Sequence, residues 1–324
     1  MADEVRETGV VLEDVTFASA DGTSTIHARF WAPDGKAPRA VIQVVHGMSE
    51  HVRRYDDFAR FLVARGYVVC GDDHIGHGAS APVHKHGCMP AKNGNEVLLA
   101  DEHTLRGIAV EKFPGVPHVF FGHSMGSFIT RCYLARHGTG VAAAVICGTG
   151  TVPVATSRAG NALAHVICAV RGEDHRSKLL DGLGAGAYGK AVPGPTGYEW
   201  LSSNEKNVAD YIADDECGFM FSAGGYVSLT ALTAEACSAS CAAAVPHELP
   251  LLYIGGEGDP VGDMGRGVHA AAQLALDAGS TDVTCRVYEG MRHEILNELD
   301  HARVYEDVAS WLDQKLQAKD GGAR

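Results

Sequence analysis

Phe120-Phe121-Gly122-His123-Ser124-Met125-Gly126 is the stretch that decides the fold. Its first residues close an apolar run over 118–121, and Met125 opens a segment, 125–137, with apolar residues three and four apart. A GxSxG pattern in that setting marks a strand that turns sharply into a helix and carries a serine at the turn. Side chains at the flanking positions would clash with the turn, so glycines stand there. The turn lifts the Ser124 hydroxyl off the sheet and aims the first amides of the helix at the same point. Met125 N–H is therefore a candidate oxyanion donor, assisted by the helix dipole.

Outward from this elbow, apolar runs at 40–45, 67–71, 118–121, 141–147, 249–254 and 283–288 predict strands covered on both faces. Helical patterns at 55–65, 95–112, 125–137, 265–278 and 301–317 fall between and after them. Alternation of this kind implies a mostly parallel sheet with helices on both faces, an α/β architecture. Segments 11–19 and 25–32 alternate instead, as half-buried antiparallel strands joined by an Asp21-Gly22 turn. The alternation breaks between about 150 and 250, in Gly-rich loops and short helical stretches. A core domain of residues 1–150 and 246–324, interrupted by a mainly helical cap over 151–245, is the expected organisation. Within the cap, 161–170 is apolar nearly all round and calls for cover from the main domain, a substrate or a membrane surface.

A serine hydroxyl needs a base to become nucleophilic, and the base needs an orienting carboxylate. After the 249–254 strand comes Gly256-Glu257-Gly258-Asp259-Pro260, an acid in a turn at a strand's C-terminal end, where parallel sheets build their sites. After the last strand, Glu289-Gly290-Met291-Arg292-His293-Glu294 delivers a histidine in a loop. The order Ser124, Asp259, His293 is that of α/β-hydrolases. Among 17 histidines it is position that selects His293. Asp263 is the rival acid, disfavoured because Asp259 follows the strand directly. The second oxyanion donor is expected in His46-Gly47-Met48-Ser49-Glu50-His51, where Gly47 lets the chain bend and Met48 N–H points to the site. His46, Glu50 and His51 match neither zinc-protease spacing, so no metal is expected. Asp73-His74-Ile75-Gly76-His77-Gly78 reads as polar side chains bonding a tight glycine loop.

The net charge of −13, pI near 5.7 and absence of a basic cluster exclude nucleic acid as a partner. The charged start Met1-Ala-Asp-Glu-Val-Arg-Glu lacks a signal-peptide core, and no run is long enough to span a membrane, which predicts a cytoplasmic protein. Nine scattered cysteines without CxxC pairs read for the most part as small core hydrophobes, neither a disulfide framework nor a zinc site.

Together, His46-Gly-Met-Ser-Glu-His51 with Arg54-Tyr55, Asp73-His-Ile-Gly-His-Gly-Ala-Ser80, Gly122-His-Ser-Met-Gly126, Gly258-Asp-Pro260 and Arg292-His293 resemble the monoacylglycerol lipase and lysophospholipase-like branch of α/β-hydrolases, also labelled serine aminopeptidase S33-type. The resemblance spans nearly the whole chain. It implies ester hydrolysis through an acyl-enzyme without a cofactor, on a small-molecule ester with an apolar acyl chain; the apolar cap segment 161–170 adds the expectation of transient membrane-surface contact through the cap. It also implies a supporting polar network of Glu50, Arg54 and His123, beside His46 and Gly47. Two positions depart from the family: Ile75 stands where arginine is usual, and Ser127 where a glycine is usual. Tyr198-Glu-Trp-Leu201 and Cys217-Gly-Phe-Met-Phe221 resemble cap segments of bacterial members. Thioesterase, perhydrolase and aminopeptidase activities share such a triad and stay open. From a different class, so does a catalytically silent hydrolase-derived binding protein.

Overall fold

In the computed structural model of the chain, which describes residues 4–7, 9–35, 37–82 and 84–321, nine strands form one sheet. They are β1 (Glu4–Glu7), β2 (Val10–Ala18), β3 (Thr25–Pro33), β4 (Val41–Val45), β5 (Val68–Asp73), β6 (His118–His123), β7 (Val141–Cys147), β8 (Leu251–Gly256) and β9 (Val283–Tyr288). Their spatial order is β1-β2-β3-β5-β4-β6-β7-β8-β9, antiparallel from β1 to β5 and parallel from β5 to β9. This is the mostly parallel α/β architecture that the alternating pattern predicts, and the α/β-hydrolase fold that the motifs and the resemblance imply.

Burial follows the sequence patterns. Every residue of β4 to β8 is buried, whereas β2 alternates and keeps one face toward solvent. The β2–β3 hairpin turns where Asp21 stands, its carboxylate accepting Thr23 and Ser24 N–H at 2.7 Å each. One expectation needs correction. β9 has the apolar composition of a covered strand, yet it is the sheet edge and most of its residues are half-exposed. The charged amino-terminal stretch supplies the edge strand β1, which pairs with β2 in a register set by backbone bonds; residues 1–3 lie outside the described residues.

The helices α1 (Asp56–Ala64), α2 (Gly94–Lys112), α3 (Met125–His137), α4 (Val154–Arg171), α5 (Lys178–Leu183), α6 (Tyr188–Ala191), α7 (Glu205–Ala213), α8 (Ala223–Ala236), α9 (Ala239–Ala244), α10 (Arg266–Asp277) and α11 (His301–Gly321) complete the fold. α1 and α11 cover one face, where Phe58, Leu62, Tyr305 and Val308 pack on Ile42, Val44 and Phe121. α2, α3 and α10 cover the other. Between β7 and β8 the chain runs through α4 to α9 with a single isolated bridge, Arg176 to Ser222, and no strand. α8 sinks into the body: Tyr226, Val227 and Leu232 belong to the same buried cluster as Phe120 and Ile129.

Segment 161–170 lies in α4 and is covered on one side only. It packs on α8, with Ser157 and Ala164 buried, and leaves Val166 and Val170 exposed at 60% and 73%. The cover thus comes from a neighbouring helix of the insertion rather than from the main sheet. No helix among the described residues is long and apolar enough to cross a membrane.

Candidate active site

Ser124 sits between β6 and α3 with φ +54° and ψ −119°, a strained conformation for any side-chain-bearing residue. The flanking glycines make room for it. A Cβ on Gly122 would lie 2.3 Å from Thr130 Oγ1 and 2.4 Å from Gly126 O, and one on Gly126 would lie 1.9 Å from Val45 O. The elbow therefore packs directly on the end of β4, whose following loop holds Met48.

His293 and Asp259 meet although 34 residues separate them: His293 Nδ1 is 2.9 Å from Asp259 Oδ2, and both side chains are buried. The second carboxylate oxygen accepts Val261 N–H at 2.8 Å, which fixes the group. Burial works against a charged His293 imidazole, but the Asp259 carboxylate outweighs it and holds the histidine above its ordinary value. With Nδ1 engaged, Nε2 is the nitrogen left for Ser124, which lines the same cavity. Asp263, the rival acid, is an exposed residue paired with Arg266 at 2.7 Å and makes no contact with His293.

The loop after β4 closes the site from the other side. Gly47 is required for space rather than for a bend: its Cβ would fall 2.7 Å from Glu50 Oε1 and 3.1 Å from Ser124 Cβ. The left-handed residue of the loop is Ser49, at φ +57°. Gly47 N–H donates to Glu50 Oε1 at 2.6 Å. Met48 and Met125 line the cavity with Ser124, and neither backbone N–H has a backbone acceptor among the described residues. His46 lies beneath the loop, its Nε2 accepting His74 N–H at 3.0 Å and its Nδ1 2.8 Å from Gly47 O. His46, Glu50 and His51 face separate partners, the last bonding Asp214 at 2.9 Å, so the three do not converge on one point. Asp73 bonds loop backbone as expected, accepting Val52 and Ala79 N–H at 2.9 and 2.8 Å.

A cavity of about 750 Å³ opens above Ser124. Its floor carries Ser124, His293, Met48 and Met125, and its walls are mostly apolar, drawn from the insertion: Leu163, Leu180, Tyr188, Trp200, Phe219 and Leu229. The Trp200 ring lies 5.1 Å from that of His293. Both resemblance segments of the insertion reach this cavity, through Tyr198 and Trp200 and through Phe219 and Met220.

The model of the family described as serine aminopeptidase S33 matches residues 36–300. The chain belongs to that family. Among relatives of this S33 protein, the monoacylglycerol lipase of Mycolicibacterium smegmatis is 29% identical over 306 residues, covering 93% of this chain and 97% of that one. Human monoglyceride lipase is 27% identical and covers 92% and 89%. The crystal structure of a thermostable carboxyl esterase from Bacillus coagulans superposes with a TM-score of 0.86 at 32% identity, covering 94% and 99%. The chain is accordingly a serine hydrolase of the lipase and esterase branch.

The two departures from the family pattern now have a structural account. Ser127 Oγ donates to Ser124 O at 2.6 Å, a bond under the elbow that a glycine cannot make. Ile75 is buried in the core beside α3. Of the expected network, Glu50 and Arg54 bond directly, Arg54 Nη1 lying 2.8 Å from Glu50 Oε2. His123 hydrogen-bonds neither; its ring lies tilted 4.7 Å from that of His293, and burial with that neighbour pushes it down to about 4. Sequence reasoning missed the third member, Glu294, which takes both arms of Arg54 at 2.6 and 2.7 Å. Burial alone would raise the Glu294 carboxyl, but Arg54 holds it down at about 2. Asn207 of α7 and Tyr55 complete the set, at 2.6 Å from Glu294 and 2.8 Å from Glu50. The one sequence signal for Glu294 is that it directly follows His293.

Proposed function

We propose that this serine ester hydrolase cleaves monoacylglycerols or similar single-chain carboxylic esters, with Ser124 as nucleophile, His293 as general base and Asp259 as its orienting carboxylate. The observation that carries the reading is the roughly 750 Å³ apolar cavity whose floor brings Ser124 and His293 together. Ser124 attacks the ester carbonyl while His293 Nε2 takes its proton. The tetrahedral oxyanion faces Met48 and Met125 N–H, each worth on the order of 10²–10³ in rate. His293 then protonates the leaving alcohol, and water repeats the sequence on the acyl-enzyme. The apolar walls suit an acyl chain, at about 0.8 kcal/mol for each methylene buried. The lipase names of the full-length relatives point the same way.

Residues 151–245 act as the cap in this reading, because they supply most of the cavity wall. Val166, Val170, Leu179 and Leu183, all exposed on α4 and α5, make a surface suited to transient contact with a lipid aggregate. All nine cysteines are free, which supports a reducing, cytoplasmic setting.

The test is intact-mass spectrometry after a fluorophosphonate probe on wild type, Ser124→Ala and His293→Ala, followed by turnover of monoacylglycerols and 4-nitrophenyl esters of rising chain length. One adduct, lost in Ser124→Ala, with a preference for medium or long chains, is the expected result. Tens of percent of activity retained by either mutant would sink the assignment, and an optimum at acetyl would sink the lipid substrate.

A further inference from the structure

We infer that Asn207 is a positioning residue through which α7 sets the geometry of the His293 loop and the Met48 loop together. Asn207 Nδ2 donates to Glu294 Oε2 at 2.6 Å, and its Oδ1 accepts Arg54 Nη2 at 3.2 Å. Arg54 joins the two loops, because Nη1 bonds both Glu294 and Glu50 and the other oxygen of Glu50 holds Gly47 N–H. One side chain of the insertion thus bonds the bridge itself and its end at the base.

The charges explain why a neutral amide stands there. Glu50 and Glu294 are two buried carboxylates facing one guanidinium, with side-chain exposures of 5%, 4% and 10%. A buried carboxylate needs its lone pairs bonded, and Arg54 divides its donors between the two. Asn207 supplies Glu294 with a donor and gives Arg54 Nη2 an acceptor, which aligns the guanidinium fork without adding charge. Losing both bonds leaves Arg54 Nη2 to Glu294 Oε2 alone and takes a donor from that oxygen, which loosens the alignment of the bridge on which Gly47, Met48 and His293 are set.

A second contact from the same helix supports the assignment. Tyr211, one turn after Asn207, lays its ring 4.9 Å over the Arg54 guanidinium and donates its hydroxyl to Ser49 O at 2.9 Å. Backbone bonds fasten the insertion to the histidine loop as well, Glu294 N–H donating to Leu201 O at 2.7 Å. α7 is therefore seated on both halves of the site at once.

The inference rests on the reading of His293 as base. It is tested with Asn207→Ala, Asn207→Gln, Tyr211→Phe and, as control, Lys206→Ala on the exposed side of α7, using a soluble 4-nitrophenyl ester and thermal melts. Asn207→Ala is expected to lower kcat about tenfold with KM changed less than about twofold, since a bond to a charged group is lost and substrate contacts are not. Asn207→Gln recovers part of the loss, Tyr211→Phe lowers kcat several-fold, and Lys206→Ala matches wild type. Values of kcat within about twofold of wild type in Asn207→Ala overturn the proposal, as does a loss that appears in KM alone. Where Asn207→Ala does not fold, Asn207→Leu, closer in volume and equally without the two bonds, decides by the same readout. Activity surviving in Ser124→Ala would instead overturn the catalytic reading, which separates the two failures.

Discussion

Replacing Asp259 by asparagine tests the electrostatic core of the site while changing almost no volume. Asp259 Oδ2 lies 2.9 Å from His293 Nδ1 with both side chains buried, so the carboxylate opposes a full positive charge once the imidazole takes the serine proton. At a separation of about 4 Å between charge centres and an effective dielectric near 20, that attraction is about 4 kcal/mol, or about 10³ in rate. An amide in the same place also offers N–H where Nδ1–H now donates, which favours the wrong tautomer and deepens the loss toward about 10⁴. Because Asp259 holds His293 above its ordinary value, the mutation has a signature in pH as well. The base works when neutral, so kcat/KM of the wild type falls as pH drops through the raised value. With asparagine at 259 that acid limb moves to lower pH while the plateau falls. The assay is kcat/KM for 4-nitrophenyl butyrate from pH 5 to 9, with thermal melts to confirm folding and Asp263→Asn as comparison. A loss below tenfold, an acid limb that stays in place, or a larger effect at Asp263 would refute the reasoning.

Gly126→Ala puts a methyl 1.9 Å from Val45 O and 2.6 Å from His46 O, both backbone. Overpacking there is expected to cost at least about 1–3 kcal/mol and, by displacing the elbow, to slow fluorophosphonate labelling about 100-fold; unchanged melting and labelling would contradict it. Ser127→Gly removes the hydroxyl bond to Ser124 O and adds a helix glycine, a loss of about 2 kcal/mol readable in urea unfolding, with labelling retained. Val166→Asp with Val170→Asp should leave turnover of a soluble short ester unchanged and reduce co-sedimentation with phospholipid vesicles several-fold, since neither side chain lines the cavity. Equal sedimentation of mutant and wild type would remove the lipid-contact reading.

Much of this molecule is written locally in its chain. The alternation of covered strands and amphipathic helices predicts the sheet, because period and burial are properties of neighbouring residues. The elbow is local too: Gly122, Ser124 and Gly126 carry their own geometric reason, and Ser, Asp and His each stand in a turn after a strand, where a parallel sheet gathers its loops. Other features depend on which segments meet. The charged Glu4–Glu7 shows no strand pattern, yet it pairs with β2 at the edge of the sheet. Residues 283–288 have the composition of a buried strand, and only the strand order makes them an edge. Ion pairs leave no periodic trace, so nothing in the sequence links Arg54 to Glu294 across 240 residues, or either to Asn207. The cavity is likewise tertiary: its walls come from α4 to α8, whose apolar residues look alike in sequence whether they face a core, a cavity or solvent, and packing alone assigns each face.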